Sequence, residues 1–98
     1  MSMPGYNEPP YKYNHISTNA TTVVKSGPGV LHAITCNITG TTPGVAIWDN
    51  TSASGNQIAN MTINANDTFF LFDVGFNNGL TIVTTSGATV GDYTVSYS

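Results

Sequence analysis

Apolar and polar residues alternate with a period of two through several short runs, and clusters of glycine, proline, asparagine and serine separate them. A period of two places successive side chains on opposite faces of a strand, so each run reads as a half-buried β-strand. The clearest case is Val30 to Ile38, where Val30, Ile34, Cys36 and Ile38 share one parity with His32, and Thr35 and Asn37 fall on the other. Gly40 to Gly44 then supplies glycine, threonine and Pro43, and Val45, Ile47 and Trp48 resume the apolar run. Val30 to Trp48 is therefore expected to form a central antiparallel hairpin.

Other runs extend the pattern. Tyr11 to Ile16 alternates weakly and suits an edge strand, and Ala20 to Lys25 is rich in β-branched residues. Ser26 to Gly29, SGPG, is a turn in which Pro28 presets its own φ and the glycines accept positive φ. The polar stretch Asp49 to Asn56 is a surface loop, and in Gln57 to Ile63 the residues Ala59, Met61 and Ile63 line one parity. Phe69 to Val74, FFLFDV, is the most apolar run and carries large side chains on both parities. Either both of its faces are covered within the domain or one meets a partner. Gly75 to Gly79 contains the Asn-Gly dipeptide favoured in tight hairpins, so Leu80 to Thr85 is expected to pair back on the preceding strand. Tyr93, Val95 and Tyr97 alternate with polar residues to the end of the chain.

Seven or eight short strands at this spacing specify an all-β antiparallel sandwich, with jelly-roll and immunoglobulin-like Greek-key orders both open. The sequence divides into an extended N-terminal arm, residues 1–10, and a single sandwich domain, residues 11–98. Three of the five prolines lie in the arm, which excludes it from the interior of a sheet. Tyr6, Pro9, Pro10, Tyr11 and Tyr13 are its candidate interface residues, since tyrosine offers large contact area and a hydrogen bond at little entropic cost.

Composition narrows the function. Charged residues make up 7% of the chain, well under the roughly 25% usual for soluble domains. Lys12 and Lys25 are the two cations in a net charge of -3, which argues against nucleic acid and against a polybasic membrane contact. Cys36 has no partner for a disulfide and reads as a small buried hydrophobe. Neither a membrane-spanning run nor a signal peptide is legible, so the expected setting is cytoplasmic, or assembly there.

Enzymatic chemistry finds little support. His15 and His32 are too few and too remote from cysteine or carboxylate spacings for zinc, and His32 is expected to be a core or interface histidine bonded to a carbonyl. Asp73 is expected to face solvent from the outer side of its sheet. A catalytic reading would require His32, Asp73 and Asp92 to cluster in a pocket. No cofactor and no metal site are expected. A carbohydrate- or host-surface-binding module is the competing class, and its aromatics would be Trp48, Tyr93 and Tyr97. For Trp48 core or inter-sheet packing is the favoured reading, and Phe69 joins these residues as a ligand or interface aromatic.

Three segments, VVKSGPGVLHAI at Val23 to Ile34, VAIWDNTSASGNQIA at Val45 to Ala59 and FDVGFNNGLTIVTTSGATVGDYTVSY at Phe72 to Tyr97, resemble small structural proteins of tailed bacteriophages. The resemblance covers about three quarters of the chain and leaves out the first ten residues. It implies a non-enzymatic accessory virion component, such as a capsid decoration or cement protein, a head fibre or a neck or tail adaptor. Its implied partners are further copies of itself, with a trimer favoured, and the major capsid protein or another virion protein. The implied location is the capsid surface of a particle assembled in the bacterial cytoplasm.

Overall fold

A computed structural model describes residues 10–98. The chain forms eight strands, β1 (Lys12–Ile16), β2 (Ala20–Ser26), β3 (Gly29–Ile38), β4 (Gly44–Asp49), β5 (Asn56–Thr62), β6 (Phe69–Phe76), β7 (Gly79–Thr85) and β8 (Asp92–Tyr97), with no helix among the described residues. They build two four-stranded antiparallel sheets, ordered β1-β8-β3-β6 and β2-β7-β4-β5. The all-β sandwich expected from the sequence is present, and of the orders left open this one is a jelly roll, two interleaved Greek keys.

Each sheet turns one apolar face inward. Leu31, Ile34 and Val95 from the first sheet meet Val45, Ile47 and Ile82 from the second, all at most 1% exposed. Phe70, Phe72 and Val74 pack against this cluster from β6. Removing such apolar area from water holds the sheets together at roughly 25 cal/mol per Å2.

The two expected hairpins are not present. β3 and β4 belong to different sheets, as do β6 and β7, and among the described residues β4 with β5 is the one pair of consecutive strands that bond to each other. Alternation records which face of a strand is buried and is silent about which strand lies beside it. The crossings have their own chemistry. In the link from β3 to β4, Gly40 has φ 78° and Thr42 φ 43°, and Thr41 exchanges backbone hydrogen bonds with Thr89 and Gly87 in the link from β7 to β8. A Cβ on Gly40 would lie 2.8 Å from the Gly91 nitrogen and the Thr89 oxygen, so this arch needs glycine for space as well as for φ. In the turn from β6 to β7, the Asp49 carboxylate accepts the backbone N–H groups of Asn77 and Asn78 at 2.8 to 3.1 Å. Those bonds, Asn78 foremost, hold its pKa below the usual carboxylate value.

Two further expectations change. Of the glycines in SGPG, Gly27 has positive φ, whereas a Cβ on Gly29 would meet the Ser98 carbonyl and the Phe76 ring. In β3 the parity reverses at His32. Leu31 pairs with Val74 and Ala33 with Leu71, which leaves His32 opposite both Phe72 and Asp73 in a bulge. Leu31, Ile34 and Cys36 consequently face the core, and His32 does not.

Candidate functional site

The outer face of the β1-β8-β3-β6 sheet gathers most of the chain's chemically distinctive surface residues. Cross-strand register sets two rows across it, Tyr13–Ser96–Ala33–Leu71 and His15–Thr94–Thr35–Phe69. Directly opposite residues share a face, so these rows point away from the core that holds Ile34 and Val95.

Apolar exposure in the rows concentrates at their ends. Tyr13 on β1 is 74% exposed, and Phe69 and Leu71 on β6 are 58% and 61% exposed. Between them, β8 offers Thr94 and Ser96, and β3 offers Thr35 and the small, buried Ala33. Of the sequence-expected arm residues, Tyr6 and Pro9 lie outside the described residues, Pro10 is exposed and Tyr11 leads into β1. The Tyr11 ring stacks on His32 with centroids 3.9 Å apart and planes within 6°. Since β8 lies between β1 and β3, this contact carries the start of the domain inward across the face.

Two histidine–carboxylate pairs flank the rows. His32 Nδ1 lies 2.5 Å from Asp73 Oδ1 and His15 Nε2 lies 2.7 Å from Asp92 Oδ1. His32 thus bonds a carboxylate and stacks on a tyrosine, rather than bonding a carbonyl in the core. The bulge is the reason, because it turns the histidine off the buried parity. Asp73 faces solvent and adopts φ 49°, a left-handed conformation that aspartate tolerates better than most residues. Asp92 also accepts from Asn37 Nδ2 at 2.9 Å, and the amide first, then His15, lowers its pKa. Asn37 reaches Thr94 Oγ1 as well. This second network was not legible in the sequence, for its members lie 55 and 77 positions from Asp92.

The three residues that a catalytic cluster would need fall into separate pairs: His32 bonds Asp73, and Asp92 bonds His15 and Asn37. Among the described residues no group of three or more histidine, cysteine or acidic side chains converges as a metal site would require. The pairs sit on an open sheet face.

The remaining aromatics do not form a shared platform. Tyr93 is 2% exposed in the core, and its hydroxyl has no hydrogen-bond partner among the described residues. Burial pushes its pKa up. Tyr97 is half-buried against the core. Trp48 registers with Thr81 while Ile47 registers with Ile82, so it stands half-buried on the outer face of the other sheet rather than in the core. A register shift between Ile47 and Trp48 in the pairing with β5 marks the same place.

No family model, no curated protein and no solved structure matches this chain. The functional reading therefore stands on the geometry of the sheet and on the residues themselves.

Proposed function

We propose that the protein is a non-enzymatic structural component of a bacteriophage particle, a decoration or cement subunit that binds the assembled capsid shell as a symmetric oligomer, with a trimer favoured. The observation that carries this reading is the exposure of Tyr13, Phe69 and Leu71 along one sheet of a domain with few charges. Phe69 and Leu71 adjoin on one face of β6, and adjoining exposed apolar side chains on a small domain favour a surface for a protein partner. The phage setting draws on the resemblance spanning Val23 to Ser98 and, by analogy of fold, on the use of jelly rolls in viral capsids. The arm, residues 1–10, adds contacts across the shell in this account, and most of it precedes the described residues.

The mechanism is mass action. A subunit that binds only the assembled shell stabilises it by an amount that rises with its concentration relative to its dissociation constant. Several subunits held in one ring present weak contacts in parallel, and avidity converts them into tight attachment. Density-purified particles from cells that carry the gene provide the test. Peptides of this chain should co-purify with the major capsid protein in a fixed ratio. Their absence from intact particles would refute the virion assignment.

A further inference from the structure

The crossing from β6 to β7 holds a dipeptide whose usual purpose is missing. Of the eleven asparagines, Asn78 alone is followed by glycine. Asn-Gly is favoured in tight hairpins because both central residues take positive φ there. Neither Asn78 nor Gly79 has positive φ in this fold, so backbone conformation does not account for the pair. Space accounts for the glycine. A Cβ on Gly79 would lie 2.9 Å from Thr51 Cγ2 and 3.0 Å from the Asn50 carbonyl, and the residue is buried at the start of β7. Asn78 itself is exposed, so water reaches its side chain.

That pairing has a chemistry of its own. A glycine carries no side chain to hinder the approach of its nitrogen to the preceding carboxamide. Once deprotonated, the Gly79 nitrogen bonds to Asn78 Cγ, the Cγ–Nδ2 bond breaks, and ammonia leaves with the proton. Water then opens the succinimide ring at either carbonyl, which gives aspartate or isoaspartate at position 78. The crossing opposes the first step. Asp49 accepts the backbone N–H groups of Asn77 and Asn78 at 2.8 to 3.1 Å, and the Gly79 N–H contributes after those of Asn78 and Asn77 to the lowering of its pKa. On the other side of the Asn78–Gly79 peptide, the Asn78 carbonyl accepts from the Gly27 N–H at 3.0 Å. The peptide is thereby fixed in orientation, and an ionised carboxylate beside its nitrogen disfavours a second negative charge there.

We propose that Asn78 is a site of spontaneous deamidation and that Asp49 restrains it, so that conversion proceeds when the crossing opens locally. Asp49 acts here as a positioning residue, through the backbone it holds. The product changes the crossing in turn. It sets a new carboxylate one residue's reach from Asp49, where like charges repel. The isoaspartate form also lengthens the backbone immediately ahead of buried Gly79, Leu80, Thr81 and Ile82. Modification therefore loosens the clamp that restrains it.

Ageing the full-length chain at mildly alkaline pH tests this, with mass spectrometry of the chymotryptic peptides that follow Phe76. The native chain should convert amide to acid at Asn78 at least about tenfold more slowly than the chain held unfolded in guanidinium chloride. Asp49→Asn should raise the native rate several-fold, and its added asparagine falls in a different peptide. Because that substitution also lowers global stability, Val95→Ala serves as the control, a core truncation that leaves the clamp intact. While still folded, it should convert at close to the wild-type rate. Asn78→Asp, which reproduces one product, should melt below the wild type. An Asn78 that stays amidated even in the unfolded chain would overturn the site. Equal rates in the native and unfolded wild type would overturn the restraint. Equal acceleration by Asp49→Asn and Val95→Ala would assign the restraint to global stability and overturn the role of Asp49. An Asn78→Asp protein as stable as the wild type would overturn the loosening.

Discussion

At the scale of single residues, Tyr93 shows how a side chain can fit its strand pattern and still carry an uncompensated polar group. Its ring fills the core beside Cys36, and its hydroxyl is buried without a partner among the described residues. A buried polar group left unpaired costs about 1–3 kcal/mol. Tyr93→Phe removes the hydroxyl and keeps the ring, so its melting temperature should equal or exceed that of the wild type. A fall in melting temperature worth more than about 1 kcal/mol, the net worth of a typical hydrogen bond, would show that the hydroxyl is satisfied in solution. His32 makes the complementary point. Its parity in the sequence assigns it to the core, but a register break in β3 between Leu31 and Ala33, against both β6 and β8, turns it outward onto Asp73 and Tyr11. Leu31, apolar on the opposite parity from Ile34 and Cys36, is the local sign of that break.

At the scale of elements, the links between sheets replace the expected hairpins, and Asp49 secures one of them by accepting Asn77 and Asn78. Its folded pKa is lowered, so its contribution to stability is present above the unfolded value of about 4 and is lost as pH falls through the lower folded value. In urea unfolding, Asp49→Asn should be less stable than the wild type at pH 6, and the difference should shrink by pH 2.5. An equal difference at both pH values would contradict the ionic character of this cap. Strand positions were legible because burial of one face imposes alternation, and Phe69 to Val74 showed both of its apolar parities openly. Strand partners were not legible. Asn-Gly at Asn78 and Gly79 serves an inter-sheet crossing as well as a hairpin, and the pairing of β3 with β8 joins residues more than fifty positions apart.

At the scale of the whole molecule, the sandwich class followed from strand count and spacing, whereas the candidate site emerged only when register set Tyr13 and His15 in rows with Leu71 and Phe69. Seven per cent charge leaves little electrostatic repulsion between copies, and in the proposed oligomer exposed apolar side chains such as Phe69 and Leu71 would supply the attraction. Symmetric self-assembly is the central claim, and the native mass of the full-length chain by light scattering, across a hundredfold range of concentration, addresses it most directly. The account predicts one discrete closed oligomer, a trimer, that gives way to monomer only on dilution. A monomer throughout the range would contradict it.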